Sequence, residues 1–176
     1  MMRHSRGFAL IDLIFVCGII GVLSAVALPR LTAAKAAAGA ASAIGSLRAI
    51  SSAELTFALT CGNGFYAPNL STLGTPPAGS REPFIGQGLG ASDAVSKAGY
   101  IIQVNAVPFG GSPASCNGLP AGEGGQGYKA AADAADPGSI PRYFATNASG
   151  LLWEHSSSMF ATIPEIGEPP AGRPYK

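Results

Sequence analysis

An apolar run from Phe8 to Pro29, with Asp12 as its one charged residue, constrains this chain more than any other feature. A helix of that length covers roughly 33 Å, and the hydrocarbon core of a bilayer is about 30 Å thick. The run therefore predicts a membrane-spanning helix. Arg3, His4 and Arg6 precede it. Because basic flanks stay in the cytoplasm, we expect the N-terminus inside and the C-terminus outside.

A secretory signal peptide is the alternative interpretation of this segment, because Ser24 to Ala27 has the small residues of a cleavage site. Against it, the apolar residues continue through Leu28, and an acid lies in the first third of the run. An acid near the centre of a span costs about 2.5 to 3.5 kcal/mol on insertion scales, so Asp12 is a candidate functional residue that needs a partner. A simpler explanation is that Asp12 snorkels to the cytoplasmic headgroups.

The residues around the start of the run resemble a known processing site. Arg6-Gly7, followed by Phe8 to Ile14, looks like the cleavage motif of type IV prepilins and type II secretion pseudopilins. The resemblance implies that prepilin peptidase cleaves after Gly7 and methylates the new amino terminus at Phe8. Asp12 is then the fifth mature residue, where the family usually has Glu, one methylene longer. Pro29 falls where many members carry a helix-perturbing Pro.

A physical reason supports an acid at Asp12 in such a protein. The new α-amino group at Phe8 is cationic, and a filament would bury it among apolar helices, where a charge must be paired. Asp12 of one subunit would accept the amino group of a neighbouring subunit and so set the axial register. Gly18 and Gly21 would allow these helices to approach closely.

The family resemblance implies a structural subunit of a filament and not an enzyme. Its partners would be prepilin peptidase, identical or related subunits, an inner-membrane assembly platform and membrane lipid. The protein would lie in the bacterial inner membrane as a single-pass protein before assembly, and in a periplasmic or cell-surface filament afterwards. A type IV pilus subunit and a type II secretion pseudopilin share this N-terminus, so both stay open. A periplasmic binding domain on an uncleaved signal anchor is the alternative from another class.

The length of the chain, 176 residues, allows one modest soluble domain beyond the span. We divide the chain into a leader peptide (1–7), a membrane and filament-core helix (8–29), an amphipathic half of the same spine helix (30–60) and a globular head (61–176). Pro29 should kink the spine, and a helix broken there into two pieces is the alternative. Cys61 to Gly64 has helix-stopping residues.

Periodicity places one face of the amphipathic half toward the head. The segment from Leu31 to Leu59 is rich in Ala and contains no Pro. Its recognisable period of three to four residues would align one set of side chains. The members of that set are Ile44, Leu47, Glu54, Leu55 and Ala58.

The head has the signals of a small antiparallel sheet. Tyr100–Val107, Arg142–Thr146 and Leu151–His155 have strand composition, and turn-rich residues join the last two into a hairpin. The composition of Tyr128–Ala134 is ambiguous between helix and strand, and the family resemblance favours a strand. The expected fold class is α+β, a long N-terminal helical spine packed on this sheet in a pilin-like α/β roll.

Three further segments have loop composition. Phe65–Ser92 and Phe109–Gly127 are rich in Gly and Pro, and the tail from Pro164 should be extended. Long loops tend to be functional or mobile. The family resemblance makes Phe65–Ser92 a candidate for lateral filament contact, and a solvated connector is the equal alternative.

Two of the three cysteines, Cys61 and Cys116, fall in the extracytoplasmic part, where an oxidising compartment would allow a disulfide. Such a bridge would stabilise the head by about 4 kcal/mol in the chain-entropy model. Two free buried thiols are the alternative. Cys17 lies inside the predicted span.

The head has few residues suited to catalysis, and we expect no catalytic site, metal site or cofactor. After leader cleavage only His155 remains of two histidines, too few for a His-based metal cluster or a Ser-His-Asp set. By resemblance to major pseudopilins, Asp133, Asp136 and Asn147 are weak candidates for calcium ligands, with ordinary surface and turn residues as the simpler alternative. The net charge of +1 and the lack of basic runs beyond the leader do not support nucleic-acid binding.

Overall fold

The computed structural model describes residues 10–138 and 142–175. Helix α1 runs from Leu10 to Thr60 and includes Pro29, so the prediction of one continuous spine helix is confirmed and the alternative of two separate helices is wrong. Next to the proline, Thr32 Oγ1 donates a hydrogen bond of 2.9 Å to the Pro29 carbonyl. The kink at Pro29 stays a prediction.

The predicted helix stop at Cys61 is also confirmed. The amide of Gly62 donates to the Phe57 carbonyl at 2.7 Å, and the amide of Gly64 donates to the Ala58 carbonyl at 2.8 Å. Gly64 has a φ of +92°, which glycine adopts without steric cost. These bonds satisfy carbonyls that the last helical turn leaves without partners.

The chain divides into two compact units, one up to Ala37 and one from Ala38 onward. The first unit consists of the N-terminal part of α1. The second unit, the head, contains the rest of α1, the short helices α2 (Leu70–Leu73) and α3 (Gln87–Gly90), and the sheet.

The sheet has six strands in sequential order, and every neighbouring pair is antiparallel. The strands are β1 (Ala94–Lys97), β2 (Tyr100–Asn105), β3 (Lys129–Ala134), β4 (Tyr143–Asn147), β5 (Leu152–His155) and β6 (Arg173–Pro174). The α+β fold class, with a long helix and an antiparallel sheet, is therefore confirmed.

The strand predictions succeed in the middle of the sheet and fail at its edges. The three predicted strands correspond to β2, β4 and β5, and the ambiguous segment before Ala134 is β3. Strand β1, which is short and largely exposed, was not predicted. The residues of β6 were predicted as part of an extended tail, because proline normally argues against a strand. Pro174 is tolerated because β6 is an edge strand that needs no second ladder partner.

From Ala38 onward, α1 buries one face against the sheet in the main core. The buried positions of α1 include Ala43, Leu47, Ile50, Ala53 and Phe57. Glu54 lies on this face and is fully buried, whereas Leu55 is 53% exposed. The prediction that placed Leu55 with the core residues is wrong, because the buried positions follow spacings of three and four that pass through residue 54.

The opposite face of the sheet carries a smaller core. It consists of Ala131, Ala145 and Trp153, covered by Met159 and Ile163. The segment after β5 therefore folds back over the sheet, and both faces of the central strands are buried. This burial explains why β4 has no exposed residue.

The segment Phe65–Ser92, predicted as a loop, contains α2 and α3. Asn69 caps α2 by accepting the Thr72 amide at 2.9 Å. Gly74 and Gly90 join the two helices so closely that a Cβ on Gly74 would lie 2.1 Å from the Gly90 carbonyl oxygen. Composition did not predict these helices, because each has only four residues. Phe109–Gly127 contains no helix or strand, as expected.

Candidate functional site

The N-terminal part of α1 carries large apolar side chains that are exposed along its whole described length. Ile11, Phe15, Val22 and Leu28 are all more than 60% exposed. Among the described residues, α1 is the one helix long and apolar enough to cross a membrane. The exposed side chains surround the helix and do not form a single stripe, as expected for a segment that apolar groups contact on all sides.

Asp12 lies in the first turn of α1 and is exposed. The partial positive charge of a helix N-terminus favours a carboxylate at this position. Among residues 10–138 and 142–175, no cation forms a salt bridge with Asp12. The predicted cleavage residues Gly7 and Phe8 lie outside the described residues. Within the described part of the chain, nothing lies within 4 Å of a Cβ built on Gly18 or Gly21.

Cys61 and Cys116 form a disulfide with their Cα atoms 4.9 Å apart. The Cys116 amide also donates to the Cys61 carbonyl at 3.2 Å, and the Cys116 carbonyl accepts the Ala78 amide at 3.2 Å. The bridge therefore ties the end of α1 to both long loops. Cys17 is a free, exposed cysteine.

Glu54 is a buried acid that the sequence analysis treated only as part of an apolar face. Its Oε2 accepts the Ala67 amide at 2.9 Å, and its Oε1 accepts no hydrogen bond from any described residue. Burial raises the pKa of Glu54 to about 8, opposed by the weaker effect of the Ala67 hydrogen bond. Burial also raises the pKa of the nearby Tyr128 to about 12. At neutral pH Glu54 is therefore mostly an uncharged carboxylic acid.

A cluster of charges lies where β4 begins and β5 ends. Arg142 Nε is 2.6 Å from Glu154 Oε1, and Arg173 contacts Glu154 Oε2 at 3.3 Å. The hydrogen bond from Arg142 lowers the pKa of Glu154. We call the open cavity of about 570 Å³ at this cluster the arginine groove. Its lining residues are Arg142, Glu154, His155, Ser156, Gly172 and Arg173.

This cluster was not predicted, because its members are far apart in sequence. Register brings them together: Phe144 pairs with Glu154, and Glu154 pairs with Arg173. Arg142 lies two residues before Phe144, so alternation along the strand puts it on the same face. Its guanidinium lies 5.1 Å from the centre of the Phe144 ring. Strand alternation is a signal in the sequence that places Arg142 and Phe144 on one face. The position of Arg173 could not be predicted, because β6 was not predicted as a strand.

A loop from Pro164 to Glu168 lies at the opposite end of β4, and we call it the acidic loop. The buried side chain of Asn147 donates to the carbonyls of Pro164 at 2.9 Å and Gly167 at 2.7 Å. Ser149 Oγ accepts the Gly167 amide at 2.8 Å. A hydrogen bond from the Val107 amide to the Glu165 carboxylate adds a further tie. These hydrogen bonds tie the loop to the end of β4 and to the chain after β2.

The candidate calcium ligands do not converge. The side chain of Asn147 donates hydrogen bonds to the acidic loop, and the backbone of Asn147 pairs with Lys129 at the start of β3. Asp133 lies four residues further along β3, where Ser158 Oγ donates to it at 2.7 Å. Asp136 accepts the Gly138 amide at 3.2 Å. Among the described residues, no group of three or more His, Cys, Asp or Glu side chains is placed to hold a metal ion.

His155 lies at the end of β5, two residues from Trp153. Its Nδ1 is 2.9 Å from Ser157 Oγ, a contact within one turn of chain.

Comparison of this chain with protein-family models, with curated proteins and with solved structures found no match.

Proposed function

We propose that this protein is a non-enzymatic subunit of a type IV pilus or a related filament, polymerised through its N-terminal helix. The exposed apolar surface of α1 carries the proposal. Side chains from Ile11 to Leu31 are exposed, and removing apolar surface from water yields roughly 25 cal/mol per Å². Lipid would cover this surface before assembly, and helices of neighbouring copies would cover it afterwards.

Asp12 supplies the specificity that apolar contacts lack. A carboxylate near the start of an otherwise uncharged apolar run is costly in lipid and in a helical bundle unless a cation meets it. Arg6-Gly7-Phe8 resembles a prepilin cleavage site, and cleavage there would create such a cation, the amino group of Phe8. Pairing between Asp12 of one copy and Phe8 of the next would select one axial register among many equally apolar ones.

The head would present its surface outside the membrane, and the disulfide between Cys61 and Cys116 fits an oxidising compartment. In this proposal the partners are prepilin peptidase, other pilin-like subunits and an inner-membrane assembly platform. A secretion pseudopilin would use the same N-terminal chemistry, and so the choice of machine belongs to a separate experiment.

The first test is the mass and N-terminal sequence of the protein extracted from membranes of cells with and without a prepilin peptidase. We expect loss of Met1 to Gly7 and one added methyl group on Phe8 when the peptidase is present. Retention of the leader, or cleavage near Ala27, would overturn the proposal. The variant Gly7→Leu, which should block cleavage, is the control for dependence on the motif.

A second test separates membrane insertion from assembly. Asp12→Ala should insert as well as the parent, or better, because it removes a charge from the span. It should lose most of its filaments, because the buried amino terminus would lack a partner. Asp12→Glu, with the same charge, should restore them. Normal filament yield from Asp12→Ala would exclude the pairing.

A further inference from the structure

We propose that the acidic loop of one copy of this chain docks in the arginine groove of the next copy, so that heads associate head to tail. This inference rests on the proposed function, because it names one contact between heads within the filament. It deepens that proposal by assigning a partner to two surfaces that the spine helix does not use.

The arginine groove has capacity for another carboxylate. Two guanidinium groups share the single carboxylate of Glu154, which leaves a net charge of +1 in this ion-pair cluster. Arg173 is 79% exposed at its side chain and makes one contact of 3.3 Å with Glu154. Its fork of N–H donors can bind a second carboxylate in bidentate geometry.

The side chain of Arg142 is already held in place, so the docking of a carboxylate would not have to order it. Its Nε contacts Glu154 Oε1 at 2.6 Å, and its guanidinium lies over the Phe144 ring. Glu154 itself is buried at 8% exposure. A preorganised receptor loses less conformational entropy on association, which leaves more of the interaction as affinity.

The acidic loop is a matching ligand. Asn147 and Ser149 hold its backbone by three hydrogen bonds, so the loop is preorganised as well. Glu168 is exposed at its end, and Ile166 beside it is 61% exposed. Within the described residues, Glu168 forms no salt bridge. An exposed carboxylate next to an exposed apolar side chain can bind an arginine-lined cavity through both charge and packing.

The two surfaces are separate within one chain, since among the described residues Glu168 forms no salt bridge with Arg142 or Arg173. Arg142 directly precedes β4, whereas Asn147, which holds the acidic loop, ends it. Five strand residues extend over roughly 17 Å. A contact between two different surfaces is heterologous, and unless it closes into a ring it produces an open polymer. A filament needs that kind of contact, and a symmetric dimer would not provide it.

Chemical crosslinking tests this contact directly. In a Cys17→Ala background, which keeps the disulfide, we would combine Glu168→Cys with Arg173→Cys and treat filaments on cells with a short bis-maleimide. A heterologous contact links each copy to two others, so we expect a ladder of multimers. Each single variant should give no ladder. The matched control pair, Glu123→Cys with Arg173→Cys, replaces a different exposed acid and should also give none.

Charge reversal keeps the inference testable if a cysteine variant fails to assemble. Arg173→Glu alone should reduce filament yield severalfold, and Glu168→Arg in the same chain should restore it. Wild-type yield from Arg173→Glu, no rescue by the second change, or equal ladders from the control pair would each overturn the inference. In each of these outcomes the leader would still be cleaved, so the proposed function would stand while the inference fails. If the Cys17→Ala parent keeps its leader, the proposed function fails, and the inference fails with it.

Discussion

The backbone of Gly39 lies directly against the carbonyl of Ala98, so closely that a Cβ on Gly39 would stand 2.6 Å from that oxygen. Ala98 and Gly99 form the turn between β1 and β2, and both have positive φ, +51° and +86°. Such a two-residue turn is typical of tight hairpins. Gly39 therefore allows the spine helix to pack closely against the hairpin at the start of the head.

Gly39→Ala should destabilise the head. The added methyl group meets a backbone atom that cannot rotate away, and overpacking of this kind costs about 1 to 3 kcal/mol against about 1 kcal/mol gained in helix propensity. Gly45 is the matched control, because it lies in the same helix and a Cβ there meets nothing within 4 Å. Gly45→Ala should stabilise by about 0.5 to 1 kcal/mol. Denaturant unfolding of both variants in detergent, followed by the fluorescence of Trp153, measures the difference; equal effects would contradict the packing argument.

The stability of the head should fall as pH rises from about 4.5 to about 8. The folded state keeps Glu54 protonated up to a pKa of about 8, whereas the unfolded chain releases that proton near the ordinary value of 4.5. Within that window the native state binds more protons, so the slope reaches up to about 1.4 kcal/mol per pH unit. Unfolding free energies measured at intervals between pH 4.5 and 8.5 would show the slope.

Glu54→Gln should remove that dependence while it keeps the acceptor for the Ala67 amide. The stability difference between variant and parent should grow in favour of the variant with pH. Glu123 is exposed, and Glu123→Gln is the control that leaves the slope unchanged. A parent protein whose stability is flat over this window would show that Glu54 is ionised in the folded head.

Loss of the disulfide should destabilise the head strongly. The bridge closes a loop with a sequence separation of 55, which corresponds to about 4 kcal/mol of loop-closure entropy. The double variant Cys61→Ser with Cys116→Ser should lower the melting temperature of the head by many degrees, and a reductant should do the same to the parent. Cys17→Ser should leave the melting temperature unchanged, because Cys17 forms no bridge. An unchanged double variant would mean that the unfolded chain is already restricted.

Asn147→Asp should detach the acidic loop. The amide nitrogen of Asn147 donates to two carbonyls, and a carboxylate would place an acceptor against both while fully buried. Removing a buried donor costs about 1 to 3 kcal/mol, and a buried charge costs more. Asn105→Asp, at an exposed position of β2, is the matched control. Faster amide exchange at Glu165 and Gly167 in the first variant only would confirm the anchor.

The core face of α1 shows how far local patterns reach. Leu47 and Ala58 were predicted from periodicity and are buried, because helix geometry alone decides which residues share a face. Glu54 and Leu55 were both assigned to that face, but Glu54 is fully buried and Leu55 is 53% exposed. Periodicity does not separate residues one step apart, and only the position of the sheet decides between them.

The sequence alone determined the features that depend on nearest neighbours along the chain. These are the apolar helix that carries Asp12, the stop after Thr60 and the strands β2, β4 and β5, because rise, charge and turn chemistry act locally. Tertiary structure decided the rest. The arginine groove, the Asn147 anchor and the contact between Gly39 and Ala98 join residues distant in sequence. Strand register forms the first, and the packing of a loop and of a helix on the sheet forms the other two.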